Sequence, residues 1–342
     1  MRNLSIKSFE NYPSSKWDKL ITDFDVTINY TAWFISYIEV LNSNNNIKNL
    51  SFLLLEDDEI VAIVPLYVEE INGKCQISMG QEPIYAPIVR TDADASSSLV
   101  YCKFILNEIE DISRKFKCTL ARFHFSPLLT ENMIPNFFTE FGYKEDIQHP
   151  DWYIFKSKNS YIINLNNEEN DLYSEVRKSN KPHINRTRKE TDLVILDGNN
   201  FDQSIFDQYI QFYYAVKGNK RSQSAFELDK SAIKKGLEVL LLCKFMNKFI
   251  GAVALHTHNG KARYNSSIQD YDFDKKIYPN HFLLWEAILY LKAKGFSLFE
   301  IGEQVDQSSN LTIKERNLSH FKAGWGGRLV PWIKVQKEFD NA

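Results

Sequence analysis

The stretch HFKAGWGG sets Lys322 two residues ahead of Gly324, with Gly326 and Gly327 close behind, in a chain with only 13 glycines. Lysine carries a compact positive charge on a flexible stem. Glycines beside it let a backbone come close to a ligand, because no Cβ stands in the way. Two readings are open. One is a ligand-facing turn in which Lys322 is the fixed charge and Gly324, Gly326 and Gly327 make room. The other is a plain β-turn with an exposed lysine and a bulge at Gly326-Gly327, before the strand RLVPWIKVQ.

Two further segments could hold an anion. VRKSNKPHINRTRKE brings together Arg177, Lys178, Lys181, Arg186, Arg188 and Lys189 against the single acid Glu190. Pro182 starts a new helical turn there, which splits the cluster between two helices. Arg177 and Arg186 then converge on a phosphate with their forked donors, and a nucleotide, a pyrophosphate-linked sugar or a tRNA backbone would fit. The competing reading is a solvated helix face. DKKIYPNHFLLWEAI offers a helix N-terminus, marked by Pro279 and Asn280 and preceded by Lys275 and Lys276. Free N–H groups and partial positive charge at such an end suit phosphate. His281 in its first turn is either a base facing the same cleft or a satisfied helix-start histidine.

Other side chains carry weaker chemistry. His256 and His258 share a strand face, but no third metal ligand accompanies them. No serine sits in a Gly-x-Ser-x-Gly elbow. Tyr264, Asn265 and Ser267 in YNSS line a cleft or simply form the polar face of a strand. Trp285, at mid-helix, reads as core.

These residues need elements to position them. YTAWFISYIEVLN has helical spacing of apolar residues, and LSFLLLEDDEIVAIVPLYVEE reads as two strands split by an acidic turn. KCQISMG is a third strand, residues 94–117 a helix with Leu99, Cys102, Ile105, Leu106 and Ile109 on one face, and CTLARFHFSP a strand. The second half repeats the order. SIFDQYIQFYYAVKG is a helix, LEVLLLCKFMNKFIGAVALHTH a hairpin turning near Asn247, and NGKARYNSSI a turn and third strand. NHFLLWEAILYLKAKG is a helix stopped by Gly295, and FSLFEIGE a strand. Helix, antiparallel meander, helix, strand occurs twice, so the fold class is α/β with two similar domains, 1–160 and 161–342. The polar segment YIFKSKNSYIINLNNEEND joins them.

Bulk properties agree. With 342 residues, 44% hydrophobic and 14% aromatic, the chain has material for two cores. A net charge of -3 argues against a general DNA binder. Cys75, Cys102, Cys118 and Cys243 form no Cys-x-x-Cys pair and suit a reducing compartment. The opening MRNLSIKSFENYPSSKW lacks the apolar core of a signal peptide, and no apolar run approaches the roughly 20 residues that span a bilayer. The expected location is the cytoplasm, with peripheral membrane contact allowed.

RKSNKPHINRTRK, ARYNSSI, YPNHFLLWEAILYLKAKGFSLFEIG and HFKAGWGG, in that order over about residues 170–330, resemble the FemAB-like branch of the GNAT acyltransferase superfamily. The resemblance implies two GNAT-like domains side by side with the acceptor in a cleft between them, and a last strand free to pack back on the first domain. It places Trp33 in the expected early helix, as a substrate-binding residue together with Tyr264, Asn265 and Ser267. By motif position, Arg177 and Arg186 would hold acceptor phosphates and Lys322 would stand near the reacting carbonyl. There a fixed cation stabilises the oxyanion that forms when an amine attacks. The proton of that amine would go to His281, Glu303 or the substrate itself. The implied cosubstrate is acetyl-CoA or another acyl-CoA, with Lys275, Lys276, Asn280, Gly324 and Gly326 at the donor. The implied acceptor is an amino group on a nucleotide- or lipid-linked sugar or related envelope precursor. Two departures stand out. The usual glycine-rich CoA loop is replaced by DKKIYPNHF, and no paired 30-residue heptad arm for tRNA is present. An aminoacyl-tRNA-dependent ligase of peptidoglycan is the second reading, and a non-catalytic ligand-binding pair the third.

Overall fold

In unit two, the run VLLLC of strand β12 (Glu238–Phe245) is buried on both sides. Val239, Leu241 and Cys243 enter one core, while Leu240 and Leu242 enter another. Successive strand residues point to opposite faces, so an unbroken apolar run requires helices over both. The computed structural model supplies them. It describes residues 3–42, 46–129, 153–271, 276–304 and 312–339. The chain divides into one unit of Met1–Ser157 with Pro331–Ala342, and a second of Lys158–Val330.

The first unit contains two sheets. One has the order β1 (Leu4–Ser8), β3 (Phe52–Glu56), β4 (Glu59–Val64), β8 (Ile88–Val89). The other runs from the Pro331–Glu338 part of β16 (Arg328–Glu338) through β9 (Cys118–Phe125), β6 (Lys74–Ile77) and β5 (Tyr67–Ile71) to β2 (Lys48–Asn49), with β7 (Ile84–Tyr85) also on β9. Pro65 divides what reads in sequence as one strand into β4 and β5, which lie in different sheets. Proline lacks the N–H that a continuous ladder needs. The described helices of this unit are α1 (Ser14–Leu20), α2 (Ala32–Leu41) and α3 (Ala95–Phe116). The expectation that Trp33 faces a ligand is corrected here: its ring is buried and stacks on Tyr37 with centroids 4.9 Å apart. In this α2 the tryptophan serves the core, one turn from its stacking partner.

The second unit has the sheet order β11 (Asp192–Leu196), β12, β13 (Lys248–His258), β14 (Lys261–Gln269), β15 (Leu298–Gln304) and the Lys158–Asn164 part of β10 (Tyr153–Asn164). All pairs are antiparallel except β14 with β15. Helices α4 (Glu169–Glu175), α5 (Asn180–Glu190) and α8 (Pro279–Ala293) contribute to the core on one face. Trp285 is part of that core, as its helical spacing predicts. Helices α6 (Gln203–Lys217) and α7 (Gln223–Lys234) cover the other face through Phe206, Tyr209, Phe226 and Ile233. Helix α7 was not foreseen. A short helix, α9 (Ile313–Lys322), also unforeseen, precedes a 3-10 turn at Ala323–Trp325. Its start carries a capping box between Thr312 and Glu315.

Candidate active site

Lys322 is the last residue of α9, not part of a glycine turn. A helix C-terminus carries partial negative charge and favours a cation there. Phe321, beside it, packs edge-on to Trp325 and to His281, with ring centroids 5.6 and 5.2 Å apart. The aromatic anchor holds the helix end while the lysine stem extends to β15. A Cβ built on Gly302 would lie 2.9 Å from Lys322 Nζ. The backbone at Gly302 has φ +113°, a value that L side chains rarely adopt.

Charged groups surround this ammonium. Burial is the largest influence and lowers the Lys322 pKa from its usual value. Glu303 and Glu300 oppose that shift, whereas Arg263 and Lys158 reinforce it. Glu303 pairs with Lys158 and lies opposite Ser160 in the β10–β15 register. Glu300 is fully buried, accepts the Ser160 hydroxyl at 2.8 Å, and has Arg263 Nε 3.5 Å from its second oxygen. Three cations thus stand against two carboxylates in a partly desolvated site, where charge interactions are stronger than in water. Lys158, Ser160, Arg263, Glu300 and Gly302 were missed from sequence. One signal was available: FEIGE puts a carboxylate and a glycine inside an apolar strand, which marks an unusual side-chain partner and a close approach.

Among the described residues, strands β14 and β15 pair over Lys261–Arg263 and Leu298–Glu300 only. Beyond Arg263, β14 continues to Gln269 without β15 as a partner. The β13–β14 register shifts so that Leu255 faces Tyr264 and Ala254 faces Ser266, leaving Asn265 as the extra, exposed residue. Tyr264 is half-buried against the α8-side core and shares a hydrogen bond with Ser267. Past Arg263, therefore, main-chain groups of β14 are not used by β15, and an extended ligand segment can pair with such an edge.

The remaining expected residues have other tasks. The room at the glycines is filled by the protein itself. Added Cβ atoms would meet Asn180 Nδ2 at 2.6 Å from Gly324, Glu175 Oε2 at 2.5 Å from Gly326, and the Ile162 carbonyl at 2.6 Å from Gly327. The expectation that they open space for a ligand is corrected accordingly. Arg177 donates its N–H to the Gly324 carbonyl at 2.9 Å, and Asn180 Nδ2 donates to the same oxygen at 3.0 Å. Arg186 pairs with Glu190, one turn on, and Arg188 with Glu286, so two of the six cations belong to an ion-paired helix surface. The convergence of Arg177 and Arg186 on one anion is not what these contacts display.

The anion cradle at the start of α8 is also corrected. Pro279 has no N–H, and the Tyr278 carbonyl accepts from His281 and Phe282, which leaves Asn280 alone in the first turn. Lys276 is exposed, and Lys275 lies outside the described residues. His281 sits among His183, Tyr278, Phe321 and Trp325. Burial, helped by His183, lowers its pKa to about 4, so the ring is neutral at pH 7. Among the described residues no group of three His, Cys, Asp or Glu side chains could hold a metal ion. A separate cavity of about 680 Å³ in this unit has a mixed wall, with Asn164, Asn166, Glu175 and Arg328 beside Ile162 and Leu298.

No protein-family model and no curated protein sequence matches the chain. Solved structures do. FemX matches with a TM-score of 0.64 at 12% identity, over 96% of each chain. L-PGS from Bacillus licheniformis matches with a TM-score of 0.55 at 12% identity, over 90% of this chain and 92% of that one. The C-terminal domain of a protein designated lysylphosphatidylglycerol synthetase, from Agrobacterium fabrum, matches with a TM-score of 0.57 at 10% identity, over 96% and 93%. The α/β fold expected from the FemAB-like resemblance is therefore the fold observed. No helix among the described residues is long and apolar enough to cross a membrane.

Proposed function

We propose that this protein transfers an acyl group to an amine, with Lys322 as the cation that faces the reacting carbonyl. The observation that carries the reading is the half-buried Lys322 ammonium over Gly302, acted on by the charges of Glu303 and Glu300. The acceptor amine attacks the carbonyl carbon of a thioester, a C–N bond forms, and the carbonyl oxygen becomes an oxyanion beside Lys322. The C–S bond then breaks, and the amine's proton passes to a carboxylate, with Glu303 the candidate, or to the departing thiolate. Removing an oxyanion donor typically slows such a step about a hundred- to a thousandfold.

The donor in this reading is an acyl-CoA, and the open edge of β14 beyond Arg263 supports it: the amides of the CoA arm can pair there as an added strand does. The acceptor is an amino group on a nucleotide- or lipid-linked sugar or related envelope precursor, handled on the cytoplasmic side. An aminoacyl-tRNA donor is the second reading, supported by the likeness to FemX. There the bond broken is the ester C–O, and Lys322 keeps its role.

The test is an acyl-transfer assay with acetyl-CoA, longer acyl-CoAs and charged tRNA as donors, and UDP-linked amino sugars as acceptors. Turnover that falls a hundredfold or more, by the usual oxyanion-hole loss, in Lys322→Ala with little change in KM supports the assignment. Turnover unchanged by Lys322→Ala removes it. Ligand-induced stabilisation with no turnover from any donor favours a protein that only binds.

A further inference from the structure

The first unit contains a pocket that the proposed transfer does not use. It measures about 220 Å³, and its polar wall is Gln81, Glu82, Arg122, Lys334 and Gln336. Arg122 lies opposite Gln336 in the β9–β16 register, and Lys334 opposite His124. Arg122 and Lys334 are thus diagonal neighbours lining one cavity, and diagonal positions on paired strands lie only about 7–8 Å apart. Two cations at that separation repel unless something negative lies between them.

The described residues do not supply that charge. Both side chains are half-buried, and among the described residues neither pairs with a carboxylate. Arg122 Nε is buried with no acceptor, and the guanidinium's hydrogen bond runs to Gln76 at a long 3.4 Å. Glu82 stands at the pocket but is exposed and is not paired with either cation. Of the other titratable neighbours, His124 lies edge-on to Tyr85 and tilted against Trp332, and the buried Glu69 carboxylate is taken up by the Ser78 hydroxyl and by the Gly80 and Gln81 N–H groups. A guanidinium carries five donors and gains most from a bidentate anion. Leaving such a charge half-buried without a partner is costly.

We propose that Arg122 and Lys334 bind a phosphoryl group. Its oxygens can take the Arg122 fork on one side and the Lys334 ammonium on the other, and its charge of up to about −2 matches the two cations. The volume lies below the ~300–1,000 Å³ of sites that enclose a drug-sized ligand. The pocket therefore takes a phosphoryl headgroup, either free inorganic phosphate or the phosphate end of a larger molecule. Nothing in this assignment depends on acyl transfer at Lys322.

The test is isothermal titration of the whole chain with inorganic phosphate, glycerol 3-phosphate and UDP, with sodium chloride holding ionic strength constant. The wild type is expected to bind at least one of the three roughly tenfold or more tighter than Arg122→Gln or Lys334→Gln, since each removes a charge-assisted partner. Lys334→Arg should restore most of the affinity, and Lys322→Ala should leave it unchanged. Equal affinity for phosphate and the esters identifies the free ion; tighter binding of an ester identifies a larger ligand. Lys334→Gln alone suffices should Arg122→Gln fail to fold. No binding of any of the three, or undiminished binding in the Lys334→Gln protein, overturns the proposal.

Discussion

Lys322 Nζ lies 2.9 Å from where a methyl group on Gly302 would have to be, too close for such a group to be added without a shift. The two residues are 20 positions apart, one at a helix end and one inside a strand. Gly302→Ala should therefore push the ammonium away and also strain a backbone held at φ +113°. The expected cost is about 1–3 kcal/mol of stability, read by urea denaturation. In the transfer assay, kcat should fall at least about tenfold with KM changed less. Full activity in this variant would show that the close approach is incidental.

Glu300 is the buried counter-charge of the cluster, with Ser160 and Arg263 on its two oxygens. Glu300→Ala leaves Arg263 without its buried partner and should cost about 3 kcal/mol, typical of a broken buried pair. Glu300→Gln retains an acceptor for the Ser160 hydroxyl and should cost less. Equal melting temperatures for both variants and wild type would remove Glu300 from any supporting role.

Two of the glycines after Lys322 make a prediction that separates packing from ligand binding. Gly324→Ala would press on Asn180, and Gly326→Ala on Glu175, at a position with φ +81°. Each should lower stability by about 1–3 kcal/mol in the absence of any ligand. Melting curves of the unliganded variants decide it. An unchanged transition would restore the reading in which these glycines face a ligand.

His281 sets an acid limit on stability. Its folded pKa is about 4, against an ordinary value of 6.5. The unfolded chain takes up a proton below pH 6.5 that the folded chain refuses until pH 4. The stabilisation by neutral His281 is thus complete above pH 6.5 and is lost as pH falls toward 4. Its size is about 3 kcal/mol for a shift of this order. His281→Phe should flatten the stability profile between pH 6.5 and 4, measured by urea titration. A profile as steep as that of wild type would mean that other groups set the acid limit.

Much of the architecture was legible because it depends on local pattern. Apolar runs of strand length, turn residues at Asn247 and Asn259-Gly260, and the glycines after α6 and α8 place most strands and, with the apolar face of α3, three long helices. Pro65 and helix α7 were harder to read. A proline can end a strand or sit on an edge, and α7 is a polar segment whose buried apolar residues are Ala225, Phe226, Ala232 and Ile233.

The site divides the same way. Sequence by itself determined that Lys322 and a glycine-rich segment mark something unusual, and that Glu303 stands in a strand of the same half. It did not determine which glycine receives the lysine. Gly302 does, while Gly324, Gly326 and Gly327 accommodate Asn180, Glu175 and a carbonyl. Nor did it reveal that Lys158, Ser160, Arg263 and Glu300 would meet Lys322. These residues lie on β10, β14 and β15, and their proximity comes from strand register and a parallel crossover. Local spacing encodes what a helix or strand presents on its own face. Which faces then meet is settled only when burial of both sides of the sheet fixes the register, and that is a property of the whole folded unit.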